Sequence, residues 1–370
     1  MVLKKAILRY TNYNQDIFGN GGDKRSMQIF DILKNANYNV INIKFDKSER
    51  STITFYFKIK CIIFGGLLKL WHWGNIRCNL KEIANAGWLY QNINKELIHY
   101  QNITNILIWE DTKGLSILIP YIAKKKNFRI IAVPHNFESL VYNQSKKVVF
   151  SKLKNEVNAY KLAESVYSIS FEDNWLLSIF KVNTFYLPYC PPTEYIPYLE
   201  DIALVRRTKK NKHYLILSTF WGATENGIID LLKVINNNNI NEYFIVAGFN
   251  TEEISKIINL KNNIKLFGTV DFNTLKDLMI ETKALIINQN ASSGLLTRIP
   301  EFLISDIPII ANLTAVRSFY NIKGITIYSN YNDLIDILKN SSFETRIEYK
   351  YEIKFENFFV NDINHHFYKQ

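Results

Sequence analysis

The sequence predicts an α/β protein made of two successive sets of parallel strands alternating with helices, joined near residues 193–212. Three observations carry this reading. Short apolar, β-branched runs recur along the chain, at 5–10, 105–109, 128–133, 214–218 and 284–287. Runs of that kind suit strands buried on both faces of a parallel sheet. Stretches with helical spacing of apolar residues lie between them, at 24–37, 147–163 and 228–236. Residues 193–212, by contrast, carry Arg206, Arg207, Lys209, Lys210 and Lys212 with little apolar periodicity, and read as a linker. A chain of 370 residues is long enough for two domains. The expected division is 1–192, a linker 193–212, a second domain 213–340, and a tail 341–370.

The first set opens with a strand at 5–10, a loop containing Gly19-Asn20-Gly21-Gly22, a helix over 24–37 and a strand over 38–45. Gly21 and Gly22 let a backbone come close to a phosphate or sugar. Residues 53–73 are rich in Ile, Phe, Leu and Trp, broken by Lys58, Lys60 and Lys69 and by Gly65-Gly66. Two readings fit: a Lys- and Trp-bearing helix lying on a membrane surface, or a core helix or lid of the first domain. A polar helix over 88–103 leads to the strand at 105–109, which ends in Glu110 and Asp111. Carboxylates at the C-terminal end of a parallel strand lie where α/β enzymes place chemistry. A helix over 115–126 and the strand at 128–133 bring the chain to Pro134-His135-Asn136. His135, at a strand exit, is a candidate for contacting a ligand or moving a proton, or else a structural histidine.

The second set starts at His213. After its first strand comes an aromatic turn, Phe220-Trp221, then Asn226 and a helix. A later strand closes on Gly268-Thr269-Val270, followed by a helix over 272–283. The stretch 284–312 then reads as strand, small-residue turn, short helix, tight turn, strand. Ser292, Ser293 and Gly294 offer small side chains and bare N–H groups. Thr297 is the expected N-cap, which places Pro300 in the first turn, where no N–H is needed. Arg298 sits at the same mouth and is a candidate for reaching a phosphate; Glu301, one turn on, is a candidate for accepting hydrogen bonds from a sugar diol.

The pattern Ser293-Gly294, Arg298, Glu301, Asp306-Ile307-Pro308 resembles the donor-binding motif of GT-B glycosyltransferases of the family-4 (group 1) type. Pro134-His135-Asn136 is similar to the His-Asn or His-Asp pair that many of them carry near the donor sugar. The chain departs from the pattern in four places. Ser293 stands where many members have a second Glu, and Asp306 where many have Gly. The Arg after the first strand of the second domain and the Lys before its helix are both missing. A subset with an aromatic turn, an Asn at the helix start and a later Gly-x-x-x-Lys/Arg turn fits better, through Phe220, Trp221, Asn226 and Gly294 to Arg298.

The resemblance implies two facing Rossmann-like domains with an interdomain cleft. It implies transfer of a sugar from a nucleotide-diphosphate donor to a glycan or lipid-linked acceptor, in cell-surface polysaccharide or lipopolysaccharide synthesis. Such a reaction would be metal-independent and retaining, with no cofactor beyond the nucleotide sugar. In that frame Gly21, Gly22, Asn226, Gly268, Ser292, Ser293, Gly294, Thr297, Arg298 and Glu301 bind the donor. His135 touches the transferred sugar, and Glu110 and Asp111 contact the acceptor or act as base. Arg298 is the main phosphate cation, helped by a basic residue of the first half. The tail is expected to cross back to the first domain.

Charge adds a second line of argument. Residues 1–212 hold 31 Lys and Arg against 17 Asp and Glu, so the whole net excess of +11 lies in this half. A basic half suits a polyanionic partner: an anionic membrane surface, a lipid-diphosphate acceptor or nucleic acid. With the resemblance beside it, nucleic acid is not an expected partner. Cys61, Cys78 and Cys190 show no metal spacing, and no apolar run is long enough to span a bilayer. The expected location is cytoplasmic, peripheral to the inner face of the membrane. Two other classes share some of these features. A nucleotide-sugar epimerase of the same fold would need several clustered carboxylates and histidines. A non-catalytic basic binder of membrane or nucleic acid would show salt-dependent binding and no affinity for nucleotide sugars.

Overall fold

A computed structural model describes residues 5–43, 55–70, 79–141, 146–221, 224–340, 347 and 349–368. The chain divides into two compact units. The first comprises Met1–Gln15, Ser26–Pro188 and Ile353–Gln370; the second comprises Asp16–Arg25 and Tyr189–Glu352.

In the first unit the order is β1 (Ala6–Tyr10), α1 (Gly21–Asn35), β2 (Asn39–Ile43), α2 (Phe55–Leu68), α3 (Leu80–Tyr100), β3 (Ile106–Trp109), α4 (Ile119–Lys124), β4 (Arg129–Ala132), α5 (Lys146–Tyr160), β5 (Ser165–Ser168), α6 (Phe171–Ile179) and β6 (Thr184–Tyr186). The first turn of α1 is grouped with the second unit. The strands form one parallel sheet, β2-β1-β3-β4-β5-β6, whose order reverses between β1 and β3. That reversal is the switch point at which doubly wound sheets open for ligands. All residues of β1, β3 and β5 are buried, as strands covered on both faces must be.

Several elements differ from the sequence expectation for local reasons. Helix α1 begins at Gly21, not 24, because Asn20 caps it: its Oδ1 accepts from Gly22 N at 2.8 Å, and Asp23 Oδ2 accepts from Asn20 N at 3.2 Å. Helix α3 begins at Leu80, not 88, because Asn79 and Glu82 form a capping box. The expected helix over 115–126 is a 3₁₀ turn, Gly114–Leu118, followed by α4, with Pro120 in the first turn.

Helix α2 packs on α3 with almost no space between the backbones. A Cβ on Gly65 would meet Ile83 O at 1.8 Å, and one on Gly87 would meet Cys61 O at 1.7 Å. Only glycine permits that approach. Cys61, Gly65 and Leu68, spaced i, i+4, i+7, form the buried stripe. Trp71 and Trp73 of the predicted membrane segment lie outside the described residues.

The second unit contains α7 (Ile196–Arg206), β7 (His213–Leu217), α8 (Glu225–Asn237), β8 (Tyr243–Ala247), β9 (Ile264–Gly268), α9 (Phe272–Ile280), β10 (Thr282–Ile287), α10 (Arg298–Ile304), β11 (Ile309–Asn312), β12 (Ile325–Tyr328) and α11 (Tyr331–Asn340). Its sheet is also parallel, β12-β11-β10-β7-β8-β9, and reverses between β10 and β7. Residues 193–212, read above as a linker, hold α7. Tyr195, Leu199 and Ile202 enter the core of this unit. Arg206 is buried too, its guanidinium donating to the carbonyls of Met279 and Thr282. The cluster of basic residues hid this helix, since one of them is a core residue and the others follow it.

Helix α12 (Lys354–Tyr368) closes the list and belongs to the first unit. Phe359 and Ile363 pack with Ile7, Ile29, Leu33 and Tyr167. Asp362 Oδ2 accepts from Ser165 Oγ at 2.6 Å and from the Tyr167 hydroxyl at 2.8 Å.

Candidate functional site

The second unit holds a cavity of about 290 Å³, lined by Gly21, Lys24, Tyr195, Thr297, Arg298 and Glu301 among others. Its position follows from the sheet. Arg298, the first residue of α10, donates from Nη1 to the carbonyl of Leu217 at 2.7 Å. Leu217 ends β7, one of the two strands at the switch point. A guanidinium therefore stands at the C-terminal edge of the sheet, where the sequence shows no cation directly after β7. Its Nε is buried without a hydrogen-bond partner. Burial, opposed by neighbouring Glu301, lowers the Arg298 guanidinium to about 10, so it stays charged at neutral pH.

Lys24 is the second cation of the cavity, and sequence reasoning did not single it out. It projects from the first turn of α1, its Nζ 2.7 Å from Glu301 Oε2 and 4.7 Å from the centre of the Tyr195 ring. Glu301 Oε1 accepts from the Tyr189 hydroxyl at 2.9 Å. Both carboxylate oxygens thus have protein partners, and Glu301 is 4% exposed. In the folded chain it holds Lys24 at the wall of the cavity that Arg298 also lines. Two cations against one carboxylate leave the mouth of the cavity with an excess positive charge, which suits an anion.

Glycine matters at one point of this wall. A Cβ on Gly21 would lie 2.9 Å from Thr297 Oγ1, so the turn before α10 and the start of α1 touch only because Gly21 has no side chain. Thr297 precedes α10 as expected but is itself helical, with φ −59° and ψ −28°, and makes no side-chain cap. Helix α10 runs for seven residues, with Pro300 in its first turn. Asp306 ends the turn after it in the left-handed region, φ 54°, held by Arg207 at 2.7 Å.

The other predicted donor residues sit along the same edge or beyond it. Ser292, Ser293 and Gly294 lie in the loop between β10 and α10; Gly294 has φ 78°, and the Ser293 carbonyl accepts from Arg317 at 3.1 Å. Asn226 is exposed in the first turn of α8. That helix reaches β10 through Asn288, whose Nδ2 donates to Gly227 O at 2.8 Å. Gly268, at the end of β9, has φ 69° and lies against Glu252, with its carbonyl accepting from Gly248 N at 2.8 Å. Gly22 is in the α1 cap, its N–H given to Asn20.

In the first unit the structure brings Glu110 and His135 together and adds residues that were not foreseen. Glu110 is fully buried between Arg9 and His135. Oε2 accepts from Arg9 Nε at 2.8 Å and Nη2 at 2.5 Å, and Oε1 lies 3.0 Å from His135 Nε2. Burial pushes this carboxyl up, but the Arg9 guanidinium and His135 outweigh it and hold Glu110 well below the usual carboxylate range. A carboxylate so stabilised is a poor base; it fixes the imidazole instead. His135 also stacks on Tyr13 at 4.2 Å, and its Nδ1 is buried without a partner. The lone arginine in the apolar strand Ala6-Ile7-Leu8-Arg9-Tyr10 was a legible sign of such a partner.

Asp111 is pinned. Oδ2 accepts from Asn12 Nδ2 at 2.5 Å and Oδ1 from Lys113 N at 2.9 Å, so its carboxylate shapes the turn after β3. Glu156, on α5, ties down the loop after His135 by accepting from Glu138 N, Ser139 N, Ser139 Oγ and the Tyr160 hydroxyl. Among the described residues no three His, Cys, Asp or Glu gather as metal ligands. No helix of the described residues is long and apolar enough to cross a membrane.

No protein-family model and no curated protein matches the sequence. Solved structures do resemble it along nearly the whole chain. The UDP-forming trehalose-phosphate synthase of Burkholderia xenovorans, solved with glucose-6-phosphate, has a TM-score of 0.62 at 8% identity, covering 97% of this chain and 100% of that one. HepE of Anabaena, solved with UDP and glucose, has a TM-score of 0.58 at 13% identity, covering 90% and 89%. A glycosyltransferase of Rickettsia africae has a TM-score of 0.54 at 16% identity, covering 91% and 88%. The fold is that of the GT-B glycosyltransferases: two units, each with a six-stranded parallel sheet and its helices.

Proposed function

We propose that this protein is a glycosyltransferase that moves a sugar from a nucleoside diphosphate donor to a glycan or lipid-linked acceptor. The observation that carries the proposal is the pair of cations, Arg298 and Lys24, at the switch-point edge of the second sheet. Loss of a nucleoside diphosphate builds negative charge on the leaving oxygens, and fixed cations near that oxygen lower the barrier. Arg298, with a buried Nε that has no protein partner, offers such a charge. Lys24 adds a second, and would exchange Glu301 for a phosphate. The structural neighbours that hold UDP, or are named as forming it, favour uridine diphosphate as the leaving group.

In this reading the loop 292–294 and Thr297 line the diphosphate, and Gly21 keeps the passage open. Asn226 and Gly268 flank the rest of the nucleotide. His135, fixed by Glu110, is the first unit's candidate for a substrate hydroxyl. The reaction needs no metal and retains the anomeric configuration, in the synthesis of a cell-surface polysaccharide or lipopolysaccharide on the cytoplasmic side.

The test is calorimetric titration with UDP, GDP and their sugars. One nucleotide should bind, and Arg298→Ala should weaken it about 10- to 100-fold, the worth of a hydrogen bond to a charged group. With an acceptor mixture, nucleoside diphosphate should be released and the product anomer should match the donor's. No nucleotide binding, or equal binding by Arg298→Ala, would overturn the proposal.

A further inference from the structure

Helix α2 is apolar on two opposite sides. One side, through Cys61, Gly65 and Leu68, is closed against α3. At 100° per residue the opposite side carries Tyr56, Ile59, Ile62 at its edge, and Ile63. These are among the more exposed large apolar side chains of the protein, at 68%, 41%, 43% and 56%. A helix apolar all round requires two apolar partners, and an ordinary surface helix keeps its outer side polar. Lys58 and Lys60, both exposed, fall on either flank of the outer apolar side, and the Lys60 ammonium rests 4.6 Å from the Tyr56 ring centre. The helix contains no acidic residue.

We infer that the outer side of α2 is a docking surface for an anionic lipid bilayer. The observations favour a bilayer over a protein partner on charge and on layout. An apolar strip edged by lysines matches an interface in which acyl chains lie below a layer of anionic headgroups. Lysine stems lie along the apolar strip while their ammonium groups reach the headgroups. The surrounding half of the chain carries the whole positive excess, which adds long-range attraction to the same surface. Cohesion of the strip with α3 does not depend on the membrane, because Gly65 and Gly87 fix α2 by backbone contact. The inference is independent of the donor site. It deepens the proposed function only by placing the enzyme where a lipid-linked acceptor resides.

The experiment is cosedimentation of the full chain with vesicles of phosphatidylcholine alone and with added phosphatidylglycerol, at low and high salt. The wild type should bind the anionic vesicles, and salt should weaken this. Ile59→Glu/Ile63→Glu and, separately, Lys58→Glu/Lys60→Glu should each weaken partition about tenfold or more. Circular dichroism should show both variants folded, and their UDP binding should equal the wild type's. Absence of wild-type vesicle binding would overturn the inference, as would wild-type partition by both variants. A concentration-dependent dimer that Ile63→Glu dissolves would assign the strip to a second copy and overturn it equally. Loss of UDP binding in the wild type would instead strike the donor-site proposal and leave this one standing.

Discussion

His135 Nε2 lies 3.0 Å from Glu110 Oε1, at the switch-point end of the first sheet. A carboxylate accepts, so Nε2 carries the hydrogen of this contact. Nδ1 is buried and has no protein partner, and the proposed function gives it a substrate hydroxyl to meet. His135→Ala is expected to lower kcat/KM by the worth of about 1–3 kcal/mol while nucleoside diphosphate alone still binds. Steady-state kinetics beside UDP titration checks this. Equal loss in both would move His135 out of the sugar site.

Arg9 and Glu110 are both fully buried, and each is the other's counter-charge. Removing one partner leaves a bare charge in the core. Arg9→Met is therefore expected to destabilise the first unit by about 3–5 kcal/mol. Urea unfolding would read this as a lower midpoint. The double change Arg9→Met/Glu110→Leu should recover much of the loss, because no unpaired charge remains.

Two buried carboxylates give the first unit opposite responses to pH. Burial raises Glu156 from 4.5 to about 7, against its four hydrogen bonds. The native state keeps this proton where the unfolded chain has released it. Its stabilising contribution is complete below pH 4.5 and is lost as pH rises through about 7. Glu110 is lowered, so its contribution is complete above the ordinary carboxylate range and lost as pH falls below it. Glu156→Gln should abolish the decline in stability between pH 4.5 and 7 and leave the acid limb in place. Urea midpoints across pH 4–8 measure both limbs, and an unchanged decline in the variant would exclude the shift at Glu156.

Gly87 meets the Cys61 carbonyl so closely that a methyl group has nowhere to go. Gly87→Ala is expected to push α2 from α3 at a cost of about 1–3 kcal/mol, the usual penalty of overpacking. A thermal melt and hydrogen exchange of residues 55–68 test it. Gly66→Ala is the control, since a Cβ there meets nothing within 4 Å.

Much of the fold was legible because parallel strands are written as short β-branched runs. The strands at 106–109, 129–132, 213–217 and 282–287 fall within a residue or two of their expected places. The misses share a cause: a side chain whose partner is remote in sequence. Arg206 looked like linker charge because the carbonyls it serves lie more than seventy residues on. Lys24 carries no local signal, because its partner Glu301 lies 277 residues on. Glu301 matches the diol-binding pattern, and the sequence gives no sign that its oxygens also have protein partners in Lys24 and Tyr189, 277 and 112 residues away. The start of α3 is different, for Asn79 and Glu82 announced it and the polar residues that follow masked the signal. Local chemistry reveals elements, whereas the pairing of distant charges becomes visible only when the chain is folded.

Helix α12 supplies Phe359 and Ile363 to the same core as Ile7 and Ile29. On the ribosome, residues 1–188 emerge long before that helix. The nascent first unit must therefore keep an apolar trough beneath β1 and β5 open while the next 164 residues, Tyr189–Glu352, are translated. A chaperone that shields apolar surface during elongation should engage this interval, and release should coincide with the appearance of Phe359 and Ile363.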